Sequence, residues 1–378
     1  MSIGTTTEQQ GAHAPDRTAG APPADRDALL LRACRREPVE RVPVWFMRQA
    51  GRCLPEYRAI REHAGLLEIC RTPELAAEVT LQPVRRLGVD AAILFSDITL
   101  PLVASGVDLQ IVPGVGPVVA EPIRNASDLR RLRPFQPDED APYVAEAVRL
   151  ALAELDVPLI GFAGGPFTLA SYLIEGGPSK THTLTRQVMY SQPGLWTQLL
   201  EQLSDMAISS LRAQVAAGAQ AVQLFESWAG VLCPENYRRF VLPSTRRIFA
   251  AVADLGVPRI HFGVGTGELL ELMAGAGADV VGIDWRVPLD RARARLGEEV
   301  AVQGNLDPAA CLAPWEVLAG QVDAVLQRGG GRGHIFNLGH GVLPETSPDM
   351  LRRIVERVRE HSISPPATDG AQMDQVGA

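Results

Sequence analysis

The sequence predicts an α/β protein of the (β/α)8 TIM-barrel class, built as a single domain with a hairpin insertion after the second strand. Three observations predict it. Eight short apolar or β-branched runs recur along the 378 residues, and helical patterns separate them. That alternation means parallel strands joined by right-handed crossovers. No G-x-G-x-x-G opens the chain, and eight evenly repeated units favour a closed barrel over an open doubly wound sheet.

The candidate strands are VPVWFM (42–47), AAILFSD (91–97), PLIGFAG (158–164), AVQLFES (221–227), RIHFGVG (259–265), VVGIDW (280–285), VAVQGNL (300–306) and IFNLGH (335–340). Between them lie the expected helices. PEYRAIREHA carries Pro55 at a first helical position. TPELAAEVTLQPVRRLG has Thr72 placed to cap. PGLWTQLLEQLSDMAISSLRAQVAAG ends at Gly218. PENYRRFVLPSTRRIFAAVADLG, TGELLELMAGAG, PWEVLAGQVDAVLQRG and SPDMLRRIVERVREH follow the same logic. The longest connection joins the second and third strands. It contains GVDLQIVPGVGPVVAEPI, two alternating runs around Pro-Gly, which reads as the hairpin.

Composition narrows the function. A hydrophobic content of 46% is enough for a large core. Net charge is −8, from 36 basic and 44 acidic residues, which argues against nucleic acid or an anionic membrane as partner. Any anion site must then be a local concentration of arginine. Lys180 is the only lysine, and it sits in a polar stretch where little desolvation would lower its pKa, so Schiff-base chemistry has a poor foothold. The cysteines are Cys34, Cys53, Cys70, Cys233 and Cys311; their number is odd and no two form C-x-x-C. This points to a reducing cytoplasm without a disulfide framework or clustered zinc site. Residues 1–24 lack an apolar core and read as a disordered tail, as do residues 362–378, leaving 25–361 as the barrel. The uncharged run Val157–Ile174 is long enough to span a membrane, but Gly161, Gly164, Gly165 and Pro166 in its middle make it a strand, a glycine loop and a helix start.

In a barrel of this class, function sits where the strands end. After the first come Arg48, Gln49 and Arg52, around a Gln-Ala-Gly turn; the second ends in Asp97. The third runs into GGPFTLASYLIEGG with Tyr172, the fourth ends in Ser227, and the eighth in NLGHG with His340. Two permanently charged, planar guanidiniums in one glycine turn suit carboxylates or phosphates. The competing assignment pairs them with structural carboxylates at the rim. Asp97 would repel a plain anion. It fits a ligand with anionic arms plus a separate patch of N–H donors or developing positive charge. It could equally cap the next helix or pair with Arg52. Glu226, Asp284 and Asp307 also end strands and read as structural, with Pro308 opening a capped helix start. FESWAG is not G-x-S-x-G, so no nucleophile elbow is present, and no two histidines fall at metal spacing.

The blocks PVWFMRQAGRCLPEYR, ILFSDI, GFAGGPFTLASYLIEGG, LFESWAG, VQGNLDP and FNLGHGVLPETSP resemble, in order, those of the uroporphyrinogen decarboxylase family, over about residues 28–360. The resemblance implies a (β/α)8 barrel acting as a cytoplasmic homodimer. It implies removal of CO2 from the four acetate arms of uroporphyrinogen III, giving coproporphyrinogen III in porphyrin and heme biosynthesis, without metal or organic cofactor. Substrate-binding roles carry over to Arg48, Gln49, Ala50, Gly51, Arg52, Asp97, Tyr172, Ser227 and His340. Asp97 and Arg48 would be catalytic. The chain departs from the common pattern at Cys53, and Trp228 occupies a position that varies. Neither change removes a polar contact. Two rival functions remain. A zinc-dependent corrinoid or thiol methyltransferase on a similar barrel needs His and Cys ligands, yet NLGHG carries no H-x-C and Cys311 lies behind DPAA. A non-catalytic tetrapyrrole carrier would gain little from Asp97.

Overall fold

The computed structural model describes residues 27–112 and 114–361. The tails expected to be disordered, 1–24 and 362–378, lie outside the described residues. Seven strands form one curled, all-parallel sheet in the order β1 (Ala92–Ile93), β4 (Leu159–Gly164), β5 (Ala221–Phe225), β6 (Arg259–Phe262), β7 (Val280–Gly282), β8 (Ala301–Gln303) and β9 (His334–Ile335). Between β1 and β4 in the chain, β2 (Leu109–Val112) pairs antiparallel with β3 (Gly116–Val119) as a separate two-stranded sheet. Helices connect the parallel strands and pack on their outer face, which is why both sides of these strands read as apolar.

The first expected strand, 42–47, does not form a ladder. It makes one parallel bridge, Val44 to Phe336. Pro43 has no N–H to give, which shortens the pairing. The segment still spans the gap between the sheet edges. Phe336 N–H donates to Pro43 O (2.8 Å) and Trp45 N–H to Phe336 O (3.2 Å) on one side; Asp90 N–H donates to Val44 O (2.8 Å) on the other. Apart from β4, the remaining strands stop short of their apolar runs at the C-terminal end. The residues past those stops, including Asp97 and Ser227, are thereby released from the ladder to build the mouth.

Helices depart from the expectation in several places, among them TGELLELMAGAG, which is a 3-10 turn at Gly267–Leu269 and a short helix at Leu270–Ala274. The segment 234–256 is broken into Pro234–Phe240 and Leu242–Ala251 because Pro243 cannot continue the preceding turn. Thr72 does not cap Pro73–Leu87 with its side chain; its hydroxyl donates back to Glu68 O (2.9 Å). The uncharged run 157–174 is β4 followed by the Pro166–Glu175 helix. Among the described residues, no helix is long and apolar enough to cross a membrane.

Inside the sheet, a polar chain crosses the core. Trp45 Nε1–H donates to Gln303 Oε1 (3.0 Å), and Gln303 Nε2–H donates to Gln223 Oε1 (3.0 Å). At the seam, Asp90 accepts both arms of Arg41 (2.6 and 2.7 Å) and the Val44 N–H (2.9 Å). Asp90 is nearly buried, whereas Arg41 keeps part of its solvent. Removing the carboxylate strands a backbone donor and a half-buried cation. Asp90→Ala should therefore lower unfolding free energy by about 2–3 kcal/mol, below the ~3–5 kcal/mol of a fully buried pair. Denaturant unfolding checks this; an unchanged midpoint would show that the seam contributes nothing.

Candidate active site

The site begins with the backbone of the loop that follows Met47. Arg48 (φ 60°), Gly51 (φ 107°) and Arg52 (φ 36°) all have positive φ. For Gly51 this is free, but each arginine is in a conformation that costs an L-residue on the order of 1–2 kcal/mol. Surrounding bonds hold the loop there. Met47 N–H donates to Asn337 Oδ1 (2.9 Å), and Val342 N–H donates to Met47 O (2.9 Å). The Gln49 side chain is buried and used at both ends: its Oε1 accepts from Phe46 N–H (2.9 Å) and its Nε2–H donates to Ala91 O (2.8 Å). Gln49 thus braces the turn against β1. Gly341 supports Arg48 from below: a Cβ on it would lie 2.3 Å from Arg48 Cδ.

Arg48, Ala50, Arg52, Asp97, Tyr172 and Ser227 line one cavity of about 350 Å³ at the C-terminal ends of the strands. Its apolar floor includes Phe95, Phe162 and Phe225, and Ile111, Gly116 and Pro117 bring the β2–β3 hairpin into its wall. Of the residues singled out in the sequence, Gln49, Gly51 and His340 do not line it. Gln49 and Gly51 shape the loop instead. His340 sits beside it: Gly341 N–H donates to its Nδ1 (2.6 Å), and its ring edge meets Trp285 at 6.2 Å.

Among the described residues, neither Arg48 nor Arg52 has a side-chain hydrogen bond or ion pair, so rim carboxylates do not consume them. Their heads reach open space, but that space is the cavity, with protein around it. Burial lowers the Arg48 pKa, opposed chiefly by the nearby Asp97 carboxylate. Burial and then the like charge of Arg48 lower Arg52 to about 10. Both stay cationic near neutrality, and each would be relieved by an incoming anion. Asp97 is anchored by one oxygen: Oδ1 accepts from the Thr99 N–H (2.8 Å) and hydroxyl (2.5 Å). Its Oδ2 has no partner among the described residues, and Asp97 does not pair with Arg52. Burial, then Asp97, pushes the Tyr172 phenol up to about 12, so it remains a donor.

The other strand-end carboxylates are spent on structure. Glu226 accepts from Thr168 N–H (2.8 Å), the Thr168 hydroxyl (2.7 Å) and Phe167 N–H (3.3 Å), capping the Pro166–Glu175 helix from another element. Asp284 accepts from Arg286 N–H (2.9 Å) and its guanidinium (2.8 Å). Asp307 accepts from Ala309 N–H (2.9 Å), opening the Pro308–Leu312 turn as expected. Sequence reasoning missed Gly341, Thr168 and the phenylalanine floor. The G-H-G spacing around His340 was the one local hint of the first.

His340 supplies a pH test. Burial, then Arg48, Arg52 and Arg286, pull its pKa from 6.5 to about 4. The folded value lies below the unfolded one, so the unfolded chain takes up a proton that the folded protein refuses. Stability from this group is complete above pH 6.5 and is lost as pH falls toward 4. Titration of His340 by NMR should place its midpoint near pH 4, with no step near 6.5. A midpoint at the ordinary value would mean that the arginines do not act on it.

Comparison with known proteins gives the chain a family. Residues 25–361 match the family "Uroporphyrinogen decarboxylase (URO-D)". The uroporphyrinogen decarboxylase of Salinispora tropica is 58% identical over 365 residues, covering 96% of this chain and 98% of that protein. The protein of the same name from Thermobifida fusca is 62% identical over 335 residues, covering 88% and 92%. Among solved structures, a methyltransferase from Methanosarcina mazei superposes with a TM-score of 0.72 at 22% identity, over 88% of this chain and 97% of that one, a likeness of fold alone. The chain belongs to the uroporphyrinogen decarboxylase family.

Proposed function

We propose that this cavity removes CO2 from the acetate arms of uroporphyrinogen III, yielding coproporphyrinogen III for porphyrin and heme biosynthesis. The observation that carries this reading is the pairing of opposites in one cavity: two guanidiniums and one carboxylate oxygen that, among the described residues, have no protein partner. A macrocycle with carboxylates on its rim and pyrrole N–H groups at its centre meets both demands. Arg48 and Arg52 hold rim carboxylates, and Asp97 Oδ2 accepts from the central N–H groups. Tyr172 and Ser227 each offer a hydrogen bond to an arm. His340, Gln49, Ala50 and Gly51 shape and polarise the Arg48–Arg52 loop.

The chemistry needs an electron sink, and the pyrrole supplies it. A proton added to the ring carbon next to the one bearing the acetate arm makes an iminium-like cation conjugated to that arm. The bond to CO2 breaks and its electron pair flows into the ring, leaving an exocyclic methylene. A second proton completes the methyl group, and the ring carbon returns its proton, so one proton is consumed for each CO2 released. Asp97 lies where a fixed negative charge stabilises the cation, an effect worth several kcal/mol in a site partly closed to water. Of the candidate acids, Arg48 and Tyr172 line the cavity and His340 does not, and we assign proton delivery to Arg48. Burial lowers its pKa, whereas burial raises Tyr172 and leaves His340 neutral. No cofactor is required in this scheme, because the substrate does what a Schiff base or pyridoxal would do.

We also read the fold as a closed (β/α)8 barrel, with the Val44 segment as eighth stave and the β2–β3 hairpin as an insertion. Residues 25–361 form one decarboxylase domain, which acts as a cytoplasmic homodimer. Against the methyltransferase alternative, no group of three His, Cys, Asp or Glu is arranged for a metal among the described residues.

Anaerobic incubation with uroporphyrinogen III should release four CO2 per macrocycle. Asp97→Asn should still bind coproporphyrinogen yet lose at least about 100-fold in kcat. Near-normal turnover in that variant would reject the electrostatic role, and product-tight binding without CO2 release from the wild type would favour a carrier.

A further inference from the structure

Ser227 and Tyr172 reach the cavity from different elements, one after β5 and one on the Pro166–Glu175 helix. Something must set their separation. We infer that Thr168 is the positioning residue that locks Ser227 and Tyr172 into one register. This deepens the proposed function and rests on it, since it takes both groups to face the substrate.

The Thr168 side chain is fully buried. Its hydroxyl donates to Glu226 Oε1 (2.7 Å) and accepts from Trp228 N–H (3.3 Å). One hydroxyl therefore grips the residues on either side of Ser227. Thr168 and Tyr172 are four apart on the same helix, so they share a face. The circuit closes through the aromatic pair: the Trp228 ring lies 4.1 Å from that of Tyr172, tilted by 47°. Glu226 adds the helix-start amides of Phe167 and Thr168, and Gly165 N–H donates to Phe225 O (2.8 Å). The approach is possible only because residue 165 is glycine. A Cβ there would lie 2.4 Å from Glu226 Oε2. The branched Cβ of threonine restricts χ1, which keeps the hydroxyl aimed at the loop.

Thr168→Val keeps the shape and removes both bonds, leaving the Trp228 N–H without its acceptor. Thr168→Ser keeps the hydroxyl. Both variants of the full chain are measured in anaerobic steady-state turnover of uroporphyrinogen III and, without substrate, by near-UV circular dichroism. Trp228→Phe identifies which part of that spectrum belongs to the Tyr172–Trp228 pair. Thr168→Val should raise KM about tenfold with a smaller change in kcat, because binding groups are displaced rather than the reacting centre. Its Tyr172–Trp228 band should weaken. Thr168→Ser should restore both. A Thr168→Val protein matching the wild type in KM and spectrum, or a Thr168→Ser protein as impaired as Thr168→Val, overturns the inference. Should Thr168→Val fail to fold, Glu226→Gln carries the test. Its amide sets an N–H against one of the helix-start N–H groups, so KM should rise about threefold, and a wild-type KM would overturn the inference. If the wild type releases no CO2, the functional reading fails, while the spectra of the two Thr168 variants still decide whether the clamp exists.

Discussion

Two guanidinium groups held side by side, with no ion-pair partner among the described residues, are the constraint on which this site is built. Arg48 and Arg52 repel one another, sit in left-handed backbone and are surrounded by a cavity that lowers the pKa of both. Each condition costs free energy, offset only in part by the charge of Asp97 and by no ion pair among the described residues. Strain of this kind persists only where the rest of the fold over-determines it. Here it is over-determined from several directions. Asn337 fixes Met47, Gln49 ties the turn to β1, and Gly341, lacking a Cβ, lets the Arg48 stem pack against its backbone. The cations are poised for an anionic ligand because they have been denied any other partner.

Asp97 gives the site its direction. Held by Thr99 through one oxygen, it keeps the other toward the cavity rather than neutralising the arginines nearby. Had it paired with Arg52, the cavity would hold neither a full cation nor a full anion. The separation of charge along one wall distinguishes a site for a polycarboxylate with N–H donors at its centre from a site for a simple anion. The sheet produces this separation because β1 and β5 leave their ladders before their apolar runs end, and the residues freed there meet the Arg48–Arg52 loop and Tyr172 at the mouth.

The sequence made the alternation of strands and helices legible, and with it the positions of the strand ends. The pair of arginines in a glycine turn and the aspartate ending the second run were visible as chemistry before any coordinates. What stayed hidden depended on partners distant in the chain. Pro43 weakens the first strand to a single bridge, yet the segment still joins both sheet edges. Pro243 splits a helix whose periodicity looked continuous. Thr72 had cap chemistry but found a nearer carbonyl. Gln49 and Gly51 shared a motif with the arginines, and only the fold separates the residues that line the cavity from those that shape the loop. Thr168 looked like an ordinary helix threonine; its role comes from Glu226 and Trp228, about sixty positions away.

The account stands on one spatial claim: a bound tetrapyrrole has its edge on the arginines and its centre on the aspartate. A crystal structure of the protein with coproporphyrinogen III, grown anaerobically, measures this directly. The account predicts pyrrole nitrogens at about 3 Å from Asp97 Oδ2 and peripheral carboxylates on Arg48 and Arg52. A macrocycle bound elsewhere, or in the same cavity with Asp97 turned away from its nitrogens, would contradict it.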